Sequence, residues 1–91
     1  MKPSLNKLFK FFRLEIEHTF ENRAVIGGLE KILPSWEADA RVEGLPEVVI
    51  QAVGERLRAY AGLSQTGRAE ALTGLWRRIQ RDSGDSLPPL P

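Results

Sequence analysis

SLNKLFKFFRLEI, residues 4–16, carries the pattern that decides the fold. Leu5, Leu8, Phe9, Phe12 and Ile16 recur at i, i+3, i+4, i+7 and i+11, one face of a helix of about 3.6 residues per turn, and Ser4 stands ahead of them as an N-cap. A lone amphipathic helix of this length, ending near His18, is marginal in water, so its apolar stripe needs neighbours to cover it.

The flanking sequence supplies them. After Asn22, a capping residue, Val25, Leu29, Ile32, Leu33 and Trp36 fall within about 100° of arc at about 100° per residue. Pro34 projects from the opposite side, which fits one helix kinked at Leu33–Pro34 or two short helices with Ser35 as a new cap. Gly44 suits a helix C-terminus and Pro46 a first turn. A third helix is therefore expected from about Pro46 to Ala61, closing at Gly62, with Val49, Val53, Leu57 and Tyr60 as its stripe. Ser64 caps a fourth, in which Arg68, Leu72, Leu75, Trp76 and Ile79 share a face and Gly84 follows the last turn. No segment alternates with period two over a strand's length.

Short breaks between the helices favour antiparallel neighbours. The expectation is all-α: a small antiparallel four-helix bundle over residues 1–84, with Phe9, Phe12, Leu29, Trp36, Leu57 and Trp76 in one interior. Residues 85–91, DSLPPLP, are not helical and read as a Pro-rich linker or a truncated exit to a following domain.

Composition agrees with one modest core. The chain has 91 residues, no cysteine, 42% hydrophobic and 27% charged residues, and no twenty-residue apolar run, which excludes disulfide scaffolds, thiolate metal sites and membrane spans. Area scaling for a chain of this mass gives roughly 5,300 Å² exposed when folded against about 14,800 Å² unfolded. The net charge is +1, but it is unevenly spread: four bases and no acid in residues 1–13, nine acids against three bases in 14–55, and six arginines against Glu70 in 56–81. Such asymmetry hints at a polyanionic partner.

Catalytic patterns fit poorly. His18, the one histidine, lies away from the first helix's core face and reads as surface. Glu15 and Glu17 diverge by about 200°, and Glu17 shares a face with Glu21 only if the helix continues, so the run reads as a wet acidic surface. Gly27-Gly28 belongs to neither G-x-x-x-x-G-K-[ST] nor G-x-G-x-x-G, leaving no phosphate loop and no ATP site; Gly28 reads as a point of close helix approach. Neither a metal nor an organic cofactor is implied.

Two surface groups remain. Lys7, Lys10 and Arg13 trace an outer stripe of the first helix, and Arg77, Arg78 and Arg81 cover the outer side of the fourth, whose end shares a pole with the start of the first in an up-down bundle. These six form either a phosphate-contacting basic pole or solubilising charge. Phe11 and Leu14 point off the stripe among the bases, as a docking patch or as scattered surface apolar groups.

ENRAVIGGLEKILPSWEADARVEG, residues 21–44, resembles the N-terminal helical extension of RecG-type ATP-dependent DNA helicases. There a leucine-rich first helix, here LNKLFKFFRLEIE, precedes an aromatic, a short polar break and an AV-[IV]-G-G-[LM] core followed by tryptophan; LRAYAGLSQTGRAEAL at 57–72 is similar to the extension's next helix, its Leu-Ser break and the start of its last helix. The resemblance spans about residues 5–81 and rests mainly on Ala24 to Leu29 and Trp36. It implies a cytoplasmic parent enzyme that remodels stalled forks and Holliday junctions in recombination and repair, with an ATP-driven motor and a wedge domain that this chain lacks. No catalytic residue carries over. The implied partners are the rest of the helicase, docked intramolecularly on the Phe11 and Leu14 patch, and branched DNA, bound weakly; the segment itself is expected to be monomeric. The alternative is a stand-alone helical protein-interaction adaptor with no nucleic-acid role.

Overall fold

Proline at position 3 sets the start of the first helix, because the N–H it lacks is one that a first turn leaves unpaired. In the computed structural model, which describes residues 1–17, 23–63 and 65–90 without the side chains of 23–30, 61, 65 and 66, α1 spans Pro3–Glu17. The Asn6 N–H meets the Lys2 carbonyl at 2.9 Å, so Lys2 precedes the first turn and Ser4, expected as the cap, lies inside the helix. Ser4 is instead buried, and its N–H and hydroxyl both donate to Glu43 Oε1 at 3.0 Å. A carboxylate from the far end of the second helix thus satisfies the start of the first.

α2 spans Arg23–Val42 and passes through Pro34 as one helix, with Pro34 exposed, so Ser35 begins no new helix. It ends at Gly44, whose φ of 79° is the left-handed conformation glycine adopts without strain. The Leu45 N–H reaches the Ala40 carbonyl at 3.0 Å and the Gly44 N–H the Arg41 carbonyl at 3.1 Å, the paired bonds of a Schellman ending, with Leu45 buried beneath. α3 spans Glu47–Ala59 with Pro46 just ahead of it, and a 3₁₀ turn at Tyr60–Gly62 takes the place of the expected last α-turn. α4 spans Gln65–Asp82.

Contacts at the helix ends show the antiparallel order. The start of α1 meets the end of α2 through Ser4–Glu43, and the Trp36 indole N–H donates to the Ser4 carbonyl at 3.0 Å. The start of α1 also meets the chain beyond α4, with Lys2 Nζ 3.4 Å from Asp85 Oδ2. α1 and α3 each pack on both α2 and α4, which closes the four-helix bundle. The radius of gyration, 12.2 Å, equals that of a fully folded chain of this length, about 12 Å.

The core holds Leu5, Leu8, Phe12, Leu33, Trp36, Ala40, Val49, Val53, Leu57, Tyr60, Leu72, Leu75, Trp76 and Ile79. Two expectations need correcting. α1 is rotated so that Ser4 and Glu15 join its buried face while Phe9 and Ile16 are half-buried, and Ile32, placed in the stripe of α2, is 56% exposed. Leu33, Trp36 and Ala40, at i, i+3 and i+7, carry the α2 contact, leaving Ile32 on its flank. The Asn22 and Ser64 caps, His18, and the surroundings of Val25, Gly28 and Leu29 lie outside the described residues.

Candidate functional site

The basic residues sit on the outer sides of α1 and α4, mostly beside carboxylates. Lys7 Nζ is 4.0 Å from Asp39, Arg13 Nε 2.9 Å from Glu17, Arg81 Nε 2.9 Å from Asp82, and Arg78 Nε 3.9 Å from the same Asp82. The Arg81 hydrogen bond is the main reason the Asp82 carboxyl is held below its ordinary range, and Asp82 in turn raises Arg81. Among the described residues, Lys10 and Arg77 have no ion-pair partner. At about 1.5 Å rise per residue, Arg13 stands roughly 9 Å along the axis from Lys7, so the α1 bases form a stripe along the helix. A phosphate must compete with a local carboxylate at four of the six positions.

Phe11 and Leu14 have different fates. Phe11 is half-buried, with its ring 5.9 Å from that of Phe12 and 6.4 Å from that of Tyr60. Leu14 remains 54% exposed.

What the periodicity did not reveal is a groove. Leu8 and Phe11 of α1, Ile32, Leu33 and Trp36 of α2, and Leu57 of α3 line a largely apolar cleft of about 300 Å³, with Lys7 and Asp39 at its mouth. It exists because α2 turns Leu33 and Trp36 inward while Ile32 stays at the opening. Phe11 forms the α1 wall; Leu14, three residues on in α1, is not among the residues that line the cleft. Ion pairs fix the opposing elements: Glu37 of α2 bonds Arg58 of α3, and Arg41 Nη2 lies 2.7 Å from Glu47 Oε1. The Arg41 hydrogen bond lowers the Glu47 carboxyl below its usual range.

A second polar feature is internal. Glu15, expected in the wet acidic surface, is only 4% exposed and accepts a hydrogen bond from the Tyr60 hydroxyl at 2.9 Å. The Arg68 guanidinium lies 5.8 Å from the Tyr60 ring centre. A carboxylate read as surface by its charge alone is therefore a buried cross-link between α1 and the turn after α3.

Among the described residues, no group of three His, Asp or Glu side chains is placed to hold a metal ion, and no helix is long and apolar enough to cross a membrane. The architecture and its surfaces define a small all-helical bundle with an apolar groove on one side and base–carboxylate pairs along its outer helices. Comparison of the chain with protein-family models, curated proteins and solved structures gave no match.

Proposed function

We propose that this chain is a non-catalytic helical docking domain of the kind that stands at the N-terminus of RecG-like helicases, cytoplasmic enzymes that remodel forks and Holliday junctions in recombination and repair. The observation that carries the reading is the groove between α1, α2 and α3, where half-buried Phe11 and exposed Ile32 offer apolar surface to a partner above buried Trp36. The residues behind the resemblance are compatible with it: AVIGGL lies within α2 and Trp36 is a core residue bonded to α1. The partner is the rest of the helicase, and DNA contact by this domain is weak and secondary because most of its outer bases already face carboxylates.

The test is a graft. A RecG-type helicase lacking its own helical extension is compared with the same enzyme carrying this chain in that place, and fork unwinding is measured for both. The graft is expected to restore unwinding; a graft no better than the shortened enzyme overturns the reading and favours the stand-alone adaptor.

A further inference from the structure

Residues 85–90 do not leave the bundle. Gly84, at a φ of 77°, turns the chain back, the Asp85 N–H bonds Ser83 Oγ at 3.2 Å, and Lys2 pairs with Asp85. The returning segment lies along α4 and is held through its backbone. The Trp76 indole N–H donates to the Pro88 carbonyl at 2.7 Å, and Gln80 Nε2 donates to the carbonyls of Leu87 and Pro88 at 3.3 and 3.2 Å. Leu87 and Leu90 pack on the core while Pro88 and Pro89 are exposed.

This is the logic of proline-peptide recognition. Leu87 and Pro88 each precede a proline and are therefore confined to extended backbone. A polyproline II strand turns once in three residues, so Leu87 and Leu90 share a face and the carbonyls stand free for side-chain donors. The receptor supplies an indole N–H, a side-chain amide and adjoining aromatic surface, with the Phe9 ring 5.3 Å from that of Trp76 and tilted 45° to it.

From this arrangement we infer that the Phe9–Trp76–Gln80 face of α1 and α4 is a binding site for extended Leu-Pro-Pro-Leu segments, filled in the resting chain by its own residues 87–90. Its ligand in trans is a proline-rich segment of another protein, read through two leucines three residues apart and two carbonyls. The tethered segment acts as a competitor at an effective concentration on the order of millimolar, so the site opens to outside ligands only when residues 87–90 are displaced. The inference is independent of the helicase reading.

The experiment compares the whole chain with its Leu87→Ser, Leu90→Ser variant, titrating each with a synthetic peptide DSLPPLP and following the two indole N–H resonances by NMR. Trp36, bonded to Ser4, reports on the intact bundle. The double substitution is expected to move the Trp76 resonance alone, and peptide is expected to restore it saturably, with affinity at least about tenfold above that for the unsubstituted chain. Adding Gln80→Met, which removes the donor to the Leu87 and Pro88 carbonyls but keeps the Trp76 indole as reporter, should weaken binding roughly tenfold. Should the double substitution also displace Trp36, Leu90→Ser alone carries the same comparison. A Trp76 resonance indifferent to the leucine substitutions, or no saturable binding to the variant at millimolar peptide, overturns the inference.

Discussion

The hydroxyl of Tyr60 donates to Glu15 across 2.9 Å inside the bundle, tying the last turn of α1 to the turn that closes α3. Tyr60 is fully buried and Glu15 nearly so, and neither has water as an easy substitute. Removing the Tyr60 hydroxyl takes the donor away from a buried carboxylate, whereas removing both groups removes the desolvation penalty as well. Tyr60→Phe should therefore cost about 1–3 kcal/mol. The double variant Tyr60→Phe, Glu15→Leu should recover much of it. Urea unfolding of the four proteins of this cycle measures the coupling; strictly additive costs would show that the pair is incidental.

The same burial sets a response to alkali. Burial first, and then the Glu15 hydrogen bond, raise the Tyr60 phenol well above its ordinary value. A phenol kept neutral in the folded state but free to ionise in the unfolded one favours unfolding as pH rises: its contribution is complete below about 10, the unfolded pKa, and is lost above it. Tyr60 is the only tyrosine, so tyrosinate absorbance reports it alone. Ionisation should coincide with loss of helical circular dichroism, and half-ionisation near pH 10 in a still-helical protein would contradict this.

Both tryptophans are interior, at 8% exposure for Trp36 and 1% for Trp76. Truncating either to alanine should cost about 3–5 kcal/mol, a large share of the stability of a domain this small. Native tryptophan emission should lie well to the blue of the unfolded protein's. Emission unchanged on unfolding would mean that neither indole is packed as described.

These tryptophans were legible in the sequence because their 3.6-residue phase with Leu33, Leu72 and Ile79 is local information, and the helix endings at Gly44 and Gly84 were legible because few other residues adopt a positive φ easily. Glu15 was not. Its charge reads as surface, and only a tyrosine 45 residues away makes its burial tolerable. Ile32 misled for the opposite reason: the apolar arc of α2 is wider than its contact, and that excess is one wall of the groove. The prolines near the end of the chain exclude helix, yet nothing local says that Trp76 will bind their backbone.

The outer bases set the salt dependence of any contact with DNA. Six free cations would suggest three or four phosphate contacts, but Lys7, Arg13, Arg78 and Arg81 each have a carboxylate near, leaving Lys10 and Arg77 unopposed among the described residues. The log–log salt slope on forked duplex DNA should then be about −2, and Arg77→Glu should reduce it to about −1. Fluorescence anisotropy at several salt concentrations measures it. Binding that persists at half-molar salt would remove the phosphate explanation.

Docking through the groove is tested most directly in the grafted helicase. Ile32 lines the groove and is more than half exposed, so Ile32→Glu alters the groove's mouth while leaving the core packing in place. Fork unwinding should fall by about tenfold or more, since an unpaired carboxylate pressed into an apolar contact costs more than the ~1.4 kcal/mol behind each factor of ten. The melting temperature of the isolated domain should stay within a few degrees. Unwinding by the Ile32→Glu graft at the unsubstituted rate would contradict the claim that this groove is where the domain meets its partner.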